Sequence, residues 1–261
     1  MSIFLWDSAV SKIFVWDSPV SWVFVWDTKV RPTIPAYLCF TAEQANSTVK
    51  LNQSWTPTAV SLETSTDLST WSDYTTWSTI TLSSVGDKVY WRNKSETPTW
   101  FSTSSSNRYR FSLAWSVAAS WDVTCLLCKT GTDTLQWNYC FYNLFVNNTS
   151  LTSAPSLPAT TLTWYCYYSM FSGCTNLTTL PALPATTLEY YCYGQMFYEC
   201  SNIKLSETQT WEYQTPYRIP AEWTGTDSSG LALDSIFSNT GGTFAGSASV
   251  NTTYYTSNTV V

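Results

Sequence analysis

Apolar and aromatic residues recur with a period of 26 residues between Leu135 and Ile203. The heptapeptide 139–145, Tyr-Cys-Phe-Tyr-Asn-Leu-Phe, returns in closely similar form at 165–171 and 191–197. A period in the twenties indicates stacked structural units, because one such unit cannot bury its apolar face alone. The repeat is therefore the strongest structural signal in the chain.

Within one unit, the apolar spacing predicts a helix. Leu162, Cys166 and Met170 lie at i, i+4 and i+8, which places them on one helical face. Gly173 marks the predicted end of the helix, and Leu177 begins a short extended segment that nearby prolines keep from becoming a long strand. Each unit is thus predicted to be a helix, a turn and an extended piece.

A second repeat, with a period of ten residues, occupies residues 3–30. Each copy has four or five strand-forming residues followed by Asp and Ser or Thr, which predicts three short strands joined by tight turns. Both faces of each strand are apolar, so both must be covered. Either the rest of this chain covers them or neighbouring subunits do. In the second case the assembly residues are Phe4, Trp6, Phe14, Trp16, Phe24 and Trp26.

Between the two repeats, short segments alternate apolar and polar residues with period two. Examples are Tyr37–Thr41, Lys88–Arg92 and Tyr109–Leu113, and their spacing of roughly ten residues suggests a small sandwich. These patterns together predict an α+β protein. Its predicted parts are a ten-residue β-repeat for assembly or anchoring (1–31), a β-sandwich-like module (36–128), a leucine-rich-repeat-like solenoid with a degenerate closing repeat (129–245) and a Ser/Thr-rich tail (246–261).

Composition excludes several function classes. Charged residues make up 11% of the chain, the net charge is −6 and no Lys/Arg cluster exists, which argues against nucleic-acid binding. We expect no membrane span and no secretory signal, since no apolar run is long enough and residues 1–10 lack a basic start. Histidine is absent, and Cys125 and Cys128 have no second pair to complete a zinc site. We therefore predict no cofactor, no metal and no catalytic residues.

Tyrosines in the 26-residue repeat are the candidate binding residues. They cannot all face one side of a helix, so some must be exposed or lie at an interface, where tyrosine is an effective anchor for protein or sugar. The alternative is that they pack on the adjacent β-module. The candidates are Tyr165, Tyr167, Tyr168, Tyr190, Tyr191 and Tyr193.

One segment carries a resemblance to a known family. Met170–Leu177 followed by Leu183–Leu188 resembles the cysteine-containing BspA-type leucine-rich repeats of bacterial surface proteins, which also occur in phage and prophage virion proteins. The resemblance covers roughly residues 134–205 and is specific over two units. Residues 24–32 are similar to N-terminal segments of phage structural proteins. The family implies attachment or surface display and no catalysis, although the short array implies a small binding face.

The resulting function hypothesis is a non-enzymatic phage virion fibre or decoration protein. It would contact other virion subunits through residues 3–30, form a homo-oligomer and bind a host-surface protein or glycan through the repeat domain. The alternative localisation is the bacterial cell surface, as a leucine-rich-repeat adhesin. A polysaccharide-active enzyme would need paired carboxylates in a cleft, and no such pair stands out.

Tryptophan is unusually frequent relative to glycine, with fifteen Trp against nine Gly. Several of them stand where turn chemistry favours glycine: Trp16, Trp26, Trp77, Trp121 and Trp223. One interpretation is that UGA codons read as glycine in the source organism are written here as tryptophan. The other is that the tryptophans are real and packed.

Overall fold

The computed structural model describes residues 23–25, 28–30, 37–55, 60–219, 230–244, 253–257 and 260. The chain divides into two compact units, Met1–Ile34 and Pro35–Val261. In the first unit, β1 (Val23–Val25) pairs antiparallel with β2 (Thr28–Val30), with Val25 opposite Thr28. The other strands predicted for the ten-residue repeat lie outside the described residues.

The described residues of the second unit form three sheets. Its strands in chain order are β3 (Leu38–Ala42), β4 (Ser47–Gln53), β5 (Leu62–Ser65), β6 (Ser72–Asp73), β7 (Thr79–Leu82), β8 (Lys88–Asn93), β9 (Tyr109–Ala114), β10 (Val117–Trp121), β11 (Leu151–Ser153), β12 (Lys204–Ser206), β13 (Thr215–Arg218), β14 (Gly241–Gly242) and β15 (Thr253–Thr256). A six-stranded sheet has the order β11-β10-β3-β8-β5-β6, a three-stranded sheet β7-β4-β9 and a four-stranded sheet β13-β15-β12-β14. Only the β10–β11 and β12–β14 pairs among these are parallel.

The six-stranded and three-stranded sheets share one aromatic core. Val49 and Leu51 of β4 are fully buried, while Lys50 between them is only partly so, as alternation along a half-buried strand requires. Phe40 of β3 and Trp91 of β8 lie 4.8 and 5.2 Å from the ring of Phe111 on β9. These edge-to-face contacts join the two sheets.

The prediction of an α+β fold with a helical leucine-rich-repeat-like solenoid is wrong. The described residues contain no α-helix, and the one helical element is a 3₁₀ turn, Val123–Leu126, capped by the Asp122 carboxylate. The described part of the protein is nearly all β, and its second unit has three open sheets among the described residues. Residues 163–174, which span most of the predicted helix, form consecutive tight turns instead.

These turns form a structure that we call the turn ladder, made of the segments 139–148, 165–174, 191–200 and 231–240. Along each segment, alternate N–H groups close a local turn, as Tyr168 N–H does on the Tyr165 carbonyl. The N–H groups between them donate to carbonyls of the next segment, as Phe141 does to Cys166 at 2.8 Å and Tyr167 to Cys192 at 2.9 Å. The fourth segment continues the pattern, since Tyr193 N–H donates to the Ala232 carbonyl.

The interior of the turn ladder is filled by columns of like residues, one from each segment. Phe145, Phe171, Phe197 and Phe237 stack with centroids 5.4–5.6 Å apart and planes within 5° of parallel. Phe111 of β9 extends this column at 5.4 Å from Phe145. We call these five rings the phenylalanine column. At its other end, Phe237 contacts residues of the four-stranded sheet or its flanks: Tyr217, Phe244 and Tyr254.

A second interior position holds a polar side chain that bridges segments. The thiols of Cys174 and Cys200 donate to the carbonyls of Phe145 and Phe171 at 3.0 and 3.1 Å. In the first segment the same position is Asn148, whose amide donates to the Phe111 carbonyl of β9 at 2.8 Å. The ladder therefore starts from strand β9 with the same bonds that its segments make to one another.

Candidate functional site

The six candidate tyrosines divide into two groups in the structure. Tyr165, Tyr168, Tyr190 and Tyr191 are partly exposed, as a binding role requires. Tyr167 and Tyr193 are fully buried, so the structure does not place them on the surface where a ligand would bind. They stack on each other at 5.7 Å in an interior column that begins with Phe141, 5.6 Å from Tyr167. Adjacent side chains in a segment, such as those of Tyr167 and Tyr168, thus point to opposite sides of the backbone, one inward and one outward.

The partly exposed tyrosines form two stacked columns on the outside of the turn ladder. In the first, Tyr139, Tyr165 and Tyr191 stack at 4.9 and 5.2 Å. In the second, Tyr142 and Tyr168 stack at 5.4 Å with planes 8° apart. Because the rings cover one another's faces, the columns present ring edges and phenol hydroxyls to solvent.

Trp164 and Tyr190 extend this surface at one side. Their rings make an edge-to-face contact at 6.1 Å, and Tyr190 also packs edgewise on Tyr191 at 4.6 Å. Trp164 is 46% exposed, so it is the least covered ring of the group. We call the seven contiguous rings the tyrosine face: Tyr139, Tyr142, Trp164, Tyr165, Tyr168, Tyr190 and Tyr191.

Sequence reasoning missed three members of the tyrosine face: Tyr139, Tyr142 and Trp164. The signal was available, because residues 26 apart occupy equivalent positions. Tyr139 precedes Tyr165 by one period and Tyr142 precedes Tyr168 by one period. Equivalence of position would therefore have extended both columns to the first segment.

Gly194 ends the second tyrosine column. It occupies the position after Tyr142 and Tyr168 in the 26-residue period. A Cβ atom there would lie 2.8 Å from the Tyr191 ring and 3.0 Å from the Tyr168 ring. A third tyrosine is thus excluded by the close approach of two rings to the backbone, which fixes the extent of the face.

Three phenols of the tyrosine face, those of Tyr165, Tyr168 and Tyr191, are held in their neutral form. Burial, then a hydrogen bond to Tyr190 and the neighbouring phenols, raises the pKa of Tyr165. Burial also raises the pKa of Tyr168 and of Tyr191, and the Asp234 carboxylate adds to both effects. At neutral pH these three phenols offer hydroxyl donors and acceptors with no charge on their rings.

One cation adjoins the face. The Arg108 guanidinium lies 5.7 Å from the centroid of the Tyr142 ring, within range of a cation–π contact. The same side chain lines an open groove of about 450 Å³ with Lys50, Trp77 and Arg110. The groove and the tyrosine face therefore share Arg108 as a common neighbour.

The described part of the chain offers no metal centre, since no cluster of three or more metal-ligating side chains forms there. All eight cysteines are buried free thiols. Burial raises the pKa of Cys140 to about 12 and that of Cys174 to about 12. The thiol of Cys125 donates to the Trp91 carbonyl at 3.2 Å and that of Cys128 to Gly131 at 3.3 Å, so both act in packing.

The candidate assembly residues Phe4, Trp6, Phe14, Trp16 and Trp26 lie outside the described residues. Phe24 belongs to β1, where it stands opposite Lys29 in the backbone register, and its side chain is outside the description as well. The assembly role of residues 3–30 stays a prediction.

Comparison with known protein families, with curated proteins and with solved structures gives no match. The resemblance to BspA-type repeats therefore stays a prediction from the sequence. No helix in the described ranges is both long and apolar enough to cross a membrane.

Proposed function

We propose that the protein is a non-enzymatic attachment protein on the surface of a phage virion, and that its tyrosine face binds a host-surface glycan or protein. Residues 3–30 would hold it to other virion subunits, in a homo-oligomer. The tyrosine face is the observation that carries this proposal. Seven aromatic rings form one continuous, partly exposed surface on a framework whose shape is fixed by backbone bonds between segments.

The chemistry of the face favours recognition of a neutral, hydroxyl-rich ligand. Tyrosine and tryptophan supply rigid contact area at low cost in conformational entropy, and they dominate binding energy at interfaces. The phenol hydroxyls can exchange hydrogen bonds with sugar hydroxyls, while the exposed Trp164 ring offers an apolar surface to the C–H face of a sugar. These properties support a glycan ahead of a charged partner.

The bacterial adhesin is the second candidate, because the same face would serve it equally well. Detection of the protein in purified virions by mass spectrometry, together with capsid or tail proteins, supports the phage assignment. Detection on intact bacterial cells with no particle present supports the adhesin instead.

The binding proposal is tested with the full-length protein on cells of the host. Trp164→Ala removes the most exposed ring of the face, and we expect roughly 30-fold weaker binding, as for an interface hot spot worth about 2 kcal/mol. Trp211→Ala is the matched control, since Trp211 is 82% exposed and lies outside the face.

Treatment of the host cells identifies the ligand class. Loss of binding after periodate oxidation of the cells indicates a glycan, and loss after protease treatment indicates a protein. Equal binding by Trp164→Ala, Trp211→Ala and the unmodified protein would show that the tyrosine face is not the binding site.

A further inference from the structure

Four tryptophans have a backbone conformation that a bulky residue rarely adopts. Trp55, Trp77, Trp115 and Trp121 have φ angles of 57°, 75°, 69° and 68°, in the left-handed region that glycine prefers. Outside the turn ladder, the described non-glycine residues with positive φ are these four, Asn46 and Leu68. Tryptophan thus supplies four of six such positions, although it is among the residue types least suited to them.

The turn around Trp77 shows why glycine fits. Ser78 N–H donates to the Thr75 carbonyl at 3.0 Å, so Trp77 is the third residue of a four-residue turn. A positive φ at that position defines a turn that calls for glycine. The chain contains a matched case nine residues away, where Asp87 N–H donates to the Ser84 carbonyl at 3.2 Å. There the third residue is Gly86, with φ 89°.

Three of these four tryptophan side chains contribute little to the core. Trp55, Trp77 and Trp115 are 83%, 55% and 61% exposed. Trp121 is partly exposed at the end of β10, where it lies against Tyr90. Trp91 behaves in the opposite way, since it is fully buried in β8 and packs on Phe40, Tyr74 and Phe111.

We propose that positions 55, 77, 115 and 121 carry glycine in the protein as its own organism makes it, while position 91 carries tryptophan. The codon at the four positions would be one that the organism reads as glycine and that translation by another code writes as tryptophan. UGA is such a codon, since it differs by a single base both from UGG and from GGA. The excess of fifteen tryptophans over nine glycines follows directly.

This assignment changes which surfaces can bind a ligand. With glycine at position 77, the groove beside Lys50 and Arg108 loses its aromatic wall. With glycine at all four positions, three exposed tryptophan side chains are lost, those of Trp55, Trp77 and Trp115. The tyrosine face then remains as the main continuous aromatic surface, and none of the four positions belongs to it.

The deciding experiment is tandem mass spectrometry of peptides from the protein purified from the organism or particle that encodes it. We expect glycine at positions 55, 77, 115 and 121 and tryptophan at position 91. Tryptophan at the four positions overturns the proposal, and so does glycine at position 91, because recoding would then be unrelated to backbone conformation.

A second measurement uses the full chain made in a standard host. We expect Trp77→Gly, and the variant with all four changes to glycine, to raise the melting temperature. The reciprocal change Gly86→Trp in the matched turn should lower it, and Trp91→Gly should lower it most. A lower melting temperature for the four-position variant contradicts the assignment, because glycine would then fit these sites less well than tryptophan.

Discussion

At the residue scale, the buried hydroxyl groups of Tyr167 and Tyr193 are unfavourable for stability. Both are fully buried, and their hydroxyls have no hydrogen-bond partner. Burial raises the pKa of Tyr167 and of Tyr193, so both stay neutral. The ring of each tyrosine packs in the interior column, but a buried hydroxyl without a hydrogen-bond partner lowers the free energy of unfolding. At the equivalent position of the first segment, Phe141 stacks on Tyr167 and has no hydroxyl group to bury.

We therefore predict that Tyr167→Phe raises the free energy of unfolding by about 1 kcal/mol, because it removes an unpaired polar group and keeps the ring. Urea denaturation of the full chain measures this. Tyr191→Phe is the control, since its hydroxyl lies on the partly exposed face and should matter little to stability. A loss of stability in Tyr167→Phe would mean that a buried water or another group bonds the hydroxyl.

At the scale of the element, the strands could be predicted and the turn ladder could not. The alternating segments at Tyr37–Thr41, Lys88–Arg92 and Tyr109–Leu113 are present as β3, β8 and β9. In the repeat, a buried residue every four positions was close enough to the helical period of 3.6 to suggest a helix. The actual period of four comes from a left-handed residue at every fourth position, such as Tyr165, Ser169 and Gly173.

The sequence could predict the outer tyrosine columns of the candidate site, because the 26-residue period places their members at equivalent positions. Equivalent positions 26 apart identify the outer columns, but helical geometry could not tell Tyr167 from Tyr168. Phe141 at the equivalent position of the first segment was the available clue, because phenylalanine is more often fully buried than tyrosine. The close approach that excludes a side chain at Gly194 has no signal in the sequence alone.

The left-handed positions of the turn ladder predict a stabilising substitution. Positions 147, 173, 199 and 239 are equivalent and hold Asn, Gly, Glu and Asn, all at positive φ. Glutamate is the residue least suited to this conformation, so we expect Glu199→Asn to stabilise the protein by about 1 kcal/mol. Calorimetry measures the change.

Gly173→Ala serves as the opposing variant. Its φ is 73°, and a Cβ atom there would lie 2.2 Å from the Asn147 side-chain oxygen, so the substitution should lower the melting temperature. If Glu199→Asn and Gly173→Ala shift stability in the same direction, left-handed backbone is not the quantity that limits these positions.

At the scale of the whole second unit, the phenylalanine column joins three parts. It starts at Phe111 in the three-stranded sheet, runs through the turn ladder and ends at Phe237 against the four-stranded sheet. Both ends of the ladder are therefore covered by sheets, and no segment presents a bare apolar end among the described residues. A repeat array stabilised by its neighbours needs such covered ends.

We predict that residues 35–261 unfold in one cooperative transition. The buried thiols provide probes in both regions: Cys125 reports on the sheets and Cys200 on the turn ladder. Alkylation during a thermal ramp, followed by peptide mass spectrometry, should give the same midpoint for both. An earlier midpoint for Cys200 would show that the ladder melts separately and that the phenylalanine column transmits little stability.

The hydrogen bonds between segments of the turn ladder also affect how the number of repeats in the gene can change during evolution. Residues 157–162 and 183–188 are identical, and each segment offers its neighbour the same carbonyls and rings. A duplication or deletion of 26 codons by unequal recombination would keep every inter-segment bond in register. Phe237 follows Phe197 by 40 positions instead of 26, which shows that the connection can also lengthen without breaking the column. The area of the aromatic surface can thus grow or shrink by whole 26-residue repeats, which is faster than change by point mutation.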